Sequence, residues 1–303
     1  MKRVLVALLI MSSAGLQACR QSRREPAASS VAQARLEVAN VIPHRIVSLV
    51  PAATEMLFAM GAGDRLVGVG SYDRYPPEVA RLPRLGGLLD PDVERVLALK
   101  PDLAIVYATQ SELKRQLERA GVPMFFYVHK GMPDITETVR GIGARAGAAT
   151  AANALAEKME SQLGAIRTRI QGRAQPRTLV VLGREPGSLR NVYASGGYGF
   201  LHDMLEIAGG ADALSDLTRE SVQMSTEMIL TRAPDVIVEL HYGADLRVDR
   251  LDFERSVWDR LAAIPAVKNR RVYLLVGDEF VVPGPRVVAA TERLSRTLHP
   301  NAG

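Results

Sequence analysis

Two stretches of the chain repeat one pattern at a constant offset of 133 residues, and this repeat limits the possible folds more than any other feature. Residues 94–106 and 227–239 each begin with glutamate, place Pro-Asp seven residues later and then continue into an apolar run. A short helix, a Pro-Asp turn and a core strand produce this pattern. The sequence therefore predicts two lobes of similar plan, with Glu94 and Glu227 at equivalent helix starts.

Strands alternate with helices on both sides of the middle of the chain. The predicted strands are short apolar runs rich in β-branched residues, and helical stretches closed by glycine separate several of them. Nearly continuous apolar strands are typical of parallel sheets covered by helices on both faces. Both lobes are therefore expected to be α/β, with parallel, Rossmann-like sheets. The predicted strands cover residues 45–50, 66–69, 103–107, 124–128, 178–182, 236–240 and 272–276.

The spacing of apolar residues changes in the middle of the chain. Between residues 133 and 172 they recur every three to four positions, and no proline follows Pro133 in this stretch. This pattern is typical of one long amphipathic helix, which at 1.5 Å per residue would run roughly 50 Å or more. We therefore expect an N-terminal lobe over 44–132, a single connecting helix over 133–172 and a C-terminal lobe over 173–303.

The first residues have the form of an export signal. Lys2 and Arg3 precede an apolar run over residues 4–11 that is too short to span a bilayer, and small residues lead to Cys19, the single cysteine. The segment resembles a bacterial lipoprotein signal, in which this cysteine is acylated. A signal peptide over 1–18, a lipid on Cys19 and a flexible tether over 19–43 together predict a periplasmic or cell-envelope protein anchored to a membrane.

Composition and motifs argue against several other classes of protein. The formal net charge is +5, but Lys and Arg are interleaved with acids, so nucleic-acid binding is not expected. The chain has no Gly-x-Ser-x-Gly motif and no P-loop, so neither a catalytic site nor an enzyme is expected. The five histidines lack the spacing of a metal site. His129 and His241 each follow a predicted strand, which leaves a zinc or manganese carrier open.

Three motifs, taken in order, carry a resemblance to one known family. Residues 45–55 (RIVSLVPAATE), 68–77 (GVGSYDRYPP) and 93–102 (VERVLALKPD) resemble the long-helix class of periplasmic substrate-binding proteins for cobalamin, haem and iron–siderophore complexes. The motifs are most similar to those of the cobalamin-binding members. The resemblance implies a monomer without a resident cofactor, which delivers a metal chelate, with cobalamin first, to an ABC permease dimer and its ATPase subunits.

The resemblance assigns docking roles to the two glutamates of the repeat. Glu94 and Glu227 correspond by position to glutamates, one on each lobe, that meet arginines on the permease. A carboxylate in the first turn of a helix is also stabilised by the helix dipole, by roughly 0.3–1 kcal/mol, which is the structural alternative for either residue alone. A signalling or adhesion lipoprotein with the same fold is a further alternative, because fold alone does not determine function.

The same resemblance places the ligand in a cleft between the lobes. Leu88 and Ser221 occupy positions where the cobalamin-binding members have tryptophans on the facing walls. This difference leaves another corrinoid, haem or a ferric siderophore open as the ligand, and Tyr72 or Tyr75 could ligate haem iron. The residues expected to contact the ligand are Tyr72, Leu88, Tyr107, Tyr193, Ser221, Asp278, Glu279 and Phe280.

Overall fold

The structure is a computed structural model that describes residues 42–128, 130–243 and 248–301. The predicted signal peptide, the lipidation site at Cys19, nearly all of the predicted tether and His129 lie outside the described residues. Residues 42–303 form one compact unit by themselves, and this unit contains both predicted lobes. Within the described part of the chain, no helix combines the length and the apolar character needed to cross a bilayer.

The first lobe is built on a fully parallel sheet of four strands in the order β2-β1-β3-β4. Three of its strands are almost wholly buried, as expected for a parallel sheet with helices on both faces. The predicted strands at 66–69 and 103–107 are confirmed residue for residue. The elements of this lobe are β1 (Ile46–Ser48), α1 (Pro51–Ala59), β2 (Leu66–Val69), α2 (Val93–Ala98), β3 (Leu103–Tyr107), α3 (Ser111–Arg119) and β4 (Met124–Tyr127).

Two helices, and not one, connect the lobes. α4 (Met132–Arg145) and α5 (Ala149–Ile170) are separated by a break at Gly147, whose φ of +65° is a left-handed conformation that glycine adopts without strain. The amide of Ala148 donates to the carbonyl of Gly143 at 2.7 Å, which closes the end of α4. The prediction of a single helix over 133–172 is therefore wrong. The apolar spacing continues across the break, so periodicity alone did not reveal it.

The second lobe has a six-stranded sheet in which β10, β9, β5, β6 and β8 lie in this order and β7 pairs with β5. β10, β9, β5 and β7 are parallel, whereas β6 and β8 are antiparallel, so the expectation of a wholly parallel sheet is wrong for this edge. The elements are β5 (Arg177–Gly183), β6 (Val192–Ser195), α6 (Phe200–Ile207), β7 (Ala211–Asp212), β8 (Ser221–Met224), α7 (Thr226–Arg232), β9 (Val236–His241), α8 (Leu251–Ser256), α9 (Pro265–Lys268), β10 (Val272–Val276) and α10 (Val287–Leu298).

The Pro-Asp turns of the repeat perform the same structural task in both lobes. The carboxylate of Asp102 accepts hydrogen bonds from the backbone N–H groups of His44 and Arg45, both at 2.8 Å, just before β1. The carboxylate of Asp235 likewise accepts from the backbone N–H of Arg177 at 3.0 Å, where β5 begins. Each aspartate thus satisfies backbone donors at the start of the neighbouring strand, which accounts physically for the repeated motif.

The two lobes are joined by direct contacts as well as by α4 and α5. Glu55 of α1 in the first lobe is 4% exposed and accepts two hydrogen bonds from Arg286, at 2.6 and 3.0 Å, at the N-terminus of α10. The guanidinium group of Arg286 also lies 4.2 Å from the ring centre of Tyr75. The hydroxyl of Tyr127 donates to the carbonyl of Pro283 at 3.1 Å. We refer to the Glu55–Arg286 pair as the interlobe clasp.

The interlobe clasp is buried enough to perturb its acid. Burial raises the pKa of Glu55 above its usual range, although the hydrogen bonds and positive charge of Arg286 act in the opposite direction. A buried carboxylate left without its partner is strongly destabilising, whereas the intact pair is tolerated. One apolar core cluster runs beside the clasp from β1 through α4 and α5 to β9 and α10. The clasp and this shared core together hold the lobes to each other.

Candidate functional site

Three of the expected ligand residues come together at the ends of the strands in the first lobe. Tyr72 follows β2 and is 64% exposed, so most of its ring is available to a ligand. A Cβ atom built on Gly87 would lie 3.3 Å from the ring of Tyr72, which places this ring against the backbone beside Leu88. Tyr107 is the last residue of β3. Residues that follow different strands of a parallel sheet can lie close together, because the carboxyl ends of the strands share one edge of the sheet.

A buried glutamine links two of these positions and was not anticipated from the sequence. Gln110 is 7% exposed, and its amide nitrogen donates to the carbonyl of Leu88 at 3.1 Å. Its side-chain oxygen accepts from the backbone N–H of Tyr107 at 3.0 Å. Gln110 therefore fixes the loop that carries Leu88 against the end of β3. Only a tertiary contact shows this role, since nothing in the local sequence marks Gln110 as different from other loop residues.

Tyr107 is held in its neutral, hydrogen-bond-donating form. Its ring meets that of Tyr127 edge to face, with the ring centres 5.7 Å apart. Burial, with a smaller contribution from the charge of Asp73, raises the pKa of the Tyr107 hydroxyl to about 12. A group with this pKa keeps its proton at neutral pH, so Tyr107 offers an O–H donor and an aromatic ring.

The second lobe presents a polar face from its antiparallel edge. Tyr193 of β6 is 44% exposed and pairs directly with Gln223 of β8. Ser221 lies two residues before Gln223 on the same strand, so its side chain is on the same face of the sheet. The neighbouring residues Val192 and Ala194 are buried on the opposite face. Tyr193 and Ser221 are therefore neighbours on one surface of the sheet, and their contact with a ligand stays a prediction.

Residues 68–77, which carry Tyr72, are called the ligand loop below. The segment after β10 contributes one residue near this loop instead of three. Asp278 accepts from the backbone N–H of Gly243 at 2.8 Å and lies 3.4 Å from the guanidinium of Arg74, two residues after Tyr72. Glu279 forms ion pairs with Arg286, just before α10, and with Arg293 of α10. Phe280 is 1% exposed in the core, so its ring presents no surface to a ligand. The expectation that all three residues contact a ligand is therefore kept for Asp278 alone.

Asp73 lies next to Tyr72 in the sequence but points into the protein. It is 1% exposed, and neither of its carboxylate oxygens completes a hydrogen bond, although Thr54 and Gly70 lie nearby. The hydroxyl of Thr54 is unsatisfied as well. Burial raises the pKa of Asp73 to about 7, against the lowering influence of Thr54 and of the positive charge of Arg84. A buried acid that titrates near neutrality thus lies beneath the ligand loop.

The two glutamates of the repeat lie on the surface at equivalent helix starts. Glu94 is exposed in the first turn of α2, whose N-cap Asp92 accepts from the backbone N–H three residues on at 2.9 Å. Glu227 is exposed in the first turn of α7, whose N-cap Ser225 makes the same bond at 3.2 Å. Hydrogen bonds from its own backbone N–H and from Ser225 hold the pKa of Glu227 below its usual range. Both carboxylates are therefore free to meet a partner.

A buried charge network lies at the ends of β5 and β9, and it was not predicted from the sequence. The side chain of Arg184 is 1% exposed and pairs with Glu239 at 3.1 Å and with Glu254 at 2.9 Å. The indole N–H of Trp258 donates to Glu239 at 2.7 Å. Burial alone would raise the pKa of Glu239, but its contacts with His241, Arg184 and Trp258 outweigh it and hold the pKa low. Arg184, Glu239 and Glu254 line a cavity of about 320 Å³, but their charges are paired with one another.

His241, one of the two histidines considered for a bare metal ion, lies beside this charge network. Among residues 42–128, 130–243 and 248–301, no three His, Cys, Asp or Glu side chains are grouped so that they could hold a metal. Nε2 of His241 lies 3.1 Å from Glu239 but does not form a well-directed hydrogen bond with it. A separate cavity of about 790 Å³ between α1, α5 and α10 is lined by the interlobe clasp and by Tyr75, the second tyrosine considered as a haem ligand. None of the eight residues expected to contact the ligand lines it.

Comparison with known proteins gives a consistent family. The family model described as periplasmic binding protein matches residues 46–278. The uncharacterized ABC transporter substrate-binding lipoprotein YvrC of Bacillus subtilis (strain 168) is 30% identical over 267 residues, which is 86% of this chain and 81% of that protein.

Two solved structures have the same two-lobed fold. The periplasmic vitamin B12 binding protein BtuF of Vibrio cholerae superposes with a TM-score of 0.72 at 25% identity, covering 85% of this chain and 97% of that one. The periplasmic heme-binding protein RhuT from Roseiflexus sp. RS-1, in its apo form, superposes with a TM-score of 0.71 at 26% identity, covering 86% and 99%. The predicted fold class of two α/β lobes with a helical connection is thereby confirmed.

Replacing the buried acid beneath the ligand loop should change how stability depends on pH. Between its ordinary pKa of 3.8 and about 7, Asp73 is protonated in the folded protein but ionised in the unfolded chain. The free energy of unfolding should therefore fall as pH rises through this window, by on the order of 4 kcal/mol from this residue. We expect Asp73→Asn to remove that part of the slope and to be more stable than the parent at pH 8.

Urea unfolding at several pH values between 4 and 8 measures this slope. The exposed Asp64 supplies the matched control, and Asp64→Asn should leave the slope as it is in the parent protein. An equal slope in Asp73→Asn and the parent would show that the Asp73 carboxyl does not titrate in this window.

Proposed function

The chain belongs to the periplasmic binding protein family, and from this membership we propose that it binds cobalamin or a closely related corrinoid. It is a substrate-binding protein of an ABC transporter and acts by binding, not by catalysis. Its ligand is a transported substrate and not a resident cofactor. The observation that carries the proposed ligand is the cluster of Tyr72, Leu88 and Tyr107 at the strand ends of the first lobe.

The chemistry of this cluster suits a corrinoid. A corrinoid offers a broad apolar face edged by amides, and aromatic side chains with a few hydrogen-bonding groups match such a surface. Tyr72 supplies an exposed ring, and Tyr107 supplies a hydroxyl that stays protonated. On the second lobe, Tyr193 and Ser221 add hydroxyl groups on one face of the β6–β8 edge.

The charged side chains near the ligand loop favour a ligand whose outer groups are uncharged. Haem carries carboxylate groups, which need unpaired cations in their binding site. Arg74, the arginine of the ligand loop, is already paired with Asp278, and Arg286 is already paired with Glu55. The amide edge of a corrinoid does not require either pair to break. Haem is the second candidate, because the exposed phenol of Tyr72 could ligate iron, and Tyr75, whose ring contacts Arg286, is also 45% exposed.

Binding measurements test the ligand. Calorimetric titration of the protein without its signal peptide should show one-to-one binding of cyanocobalamin, weakened about tenfold or more in Tyr72→Ala. Phe253→Ala, which removes an exposed ring on α8, is the matched control and should bind as the parent does. Binding of haemin but not cyanocobalamin, with an absorption shift that is lost in Tyr72→Phe, would show that the ligand is haem and not a corrinoid. Binding of zinc alone would overturn both.

Delivery to the permease is assigned to the two exposed glutamates. Glu94 and Glu227 lie at equivalent positions of the repeat, one on each lobe, and both carboxylates face solvent. Charge pairs that dock two proteins control orientation and association rate. We expect Glu94→Arg combined with Glu227→Arg to abolish ligand uptake in cells while calorimetric binding of the ligand is retained. Uptake at the parental rate in this double variant would show that the two glutamates are not part of the docking surface.

Membrane attachment is assigned to Cys19. The Bacillus subtilis relative is described as a lipoprotein, and Cys19 follows a short apolar run and small residues. An acyl group at this position would tether the binding protein near its transporter in the cell envelope. Metabolic labelling with palmitate should mark the parent protein and not Cys19→Ser, and equal labelling of both would contradict the assignment.

A further inference from the structure

An exposed leucine accompanies the docking glutamate on each lobe. Leu89, five residues before Glu94, has 94% of its surface exposed, a larger fraction than any other large apolar side chain in the described chain. Leu230 is 41% exposed and lies three residues after Glu227 on α7, a spacing that places both on one side of the helix. Single exposed apolar residues are common on proteins, so the closeness of these two to the glutamates, along the sequence for Leu89 and on one helix for Leu230, is the informative observation.

The loop that carries Leu89 is firmly bonded on both sides of this residue. We call residues 86–91 the Leu89 loop. Before Leu89, the carbonyl of Gly86 accepts from Ser71 at 2.8 Å, and the carbonyl of Leu88 accepts from Gln110. After it, the backbone N–H of Asp92 donates to Leu85 at 2.9 Å. The exposure of Leu89 is therefore imposed by a defined turn.

Glycine at position 86 is what allows this turn to be so tight. Its φ is +86°, and a Cβ atom there would lie 2.4 Å from the carbonyl oxygen of Asp90. Any other residue would force the turn apart. The sequence thus maintains a tight turn that directs a leucine entirely into solvent, immediately before the helix of Glu94.

We propose that Leu89 and Leu230 are apolar anchors of the surface that docks onto the permease. The proposal rests on the function proposed above and adds residues to its docking surface. Protein interfaces place apolar side chains at the centre of a contact and charges around it. A partner that fits would have apolar depressions beside the cationic groups that receive Glu94 and Glu227. The extracytoplasmic face of the permease dimer is the occupant to which we assign these anchors.

The two anchors are not equivalent positions under the 133-residue offset, since Leu230 lies inside the repeat and Leu89 lies before it. The position 133 residues after Leu89 is Val222, which pairs with Ala194 in the β6–β8 ladder and is not an exposed loop residue. The first lobe therefore presents its leucine from a loop, and the second lobe presents its leucine from a helix. The docking surface has matching glutamates but unlike apolar anchors.

The test measures the complex of the ligand-loaded protein with its permease and ATPase reconstituted in lipid nanodiscs. We expect Leu89→Ser and Leu230→Ser each to raise the dissociation constant of this complex by about fivefold to tenfold. Calorimetric affinity for the ligand should stay at the parental value, which shows that each variant is folded. Leu89→Met, which keeps an apolar side chain, should stay within about twofold of the parent.

Phe253→Ser serves as the matched control, because it removes a 55% exposed apolar side chain on α8, a different helix from those that carry the glutamates. Its complex should have the parental dissociation constant. If both serine variants dock normally while the double glutamate reversal does not, the anchors are refuted and the proposed docking stands. If neither set of changes weakens the complex, the proposed docking surface is refuted together with the anchors.

Discussion

The buried ion pair between Glu55 and Arg286 is the contact on which the arrangement of the two lobes depends. It joins α1 of the first lobe to the start of α10 in the second, and Glu55 has almost no exposure to water. A carboxylate in this position is costly without its partner, so the pair favours the relative lobe orientation in which both hydrogen bonds form. The ring of Tyr75 covers the guanidinium and ties the end of the ligand loop to the same contact.

Direct contacts hold the two lobes together in addition to the connecting helices. The connection is broken at Gly147, so α4 and α5 cannot act as one continuous rod. Instead, a shared apolar core, the Tyr127–Pro283 hydrogen bond and the interlobe clasp resist separation of the lobes. Lobes held in this way would suit the proposed large, rigid ligand, because little conformational freedom would have to be lost when that ligand binds.

Much of the fold could be predicted because its strands are buried on both faces and therefore read as continuous apolar runs. β2, β3 and β10 begin and end at the predicted residues. β6 and β8 escaped prediction because each is four residues long and polar on its exposed face. The helix break at Gly147 escaped because the apolar spacing continues across it. In the proposed site, Tyr72, Leu88 and Tyr107 could be named from the resemblance, and their role toward a ligand stays a prediction. The contacts that hold these residues in place could not be predicted. Gln110 binds the carbonyl of Leu88, and Glu55 binds Arg286, over separations in sequence that no local pattern reveals.

Leu88 and Leu89 are joined by a single peptide bond, yet one belongs to the proposed ligand cluster and the other to the proposed permease contact. A tight turn cannot be rebuilt on one side without displacing the other. Changes that adapt the pocket to a new ligand at this loop would therefore also alter compatibility with the transporter. Ligand choice and transporter choice would then be inherited as one trait, and grafting the loop between relatives would transfer both at once.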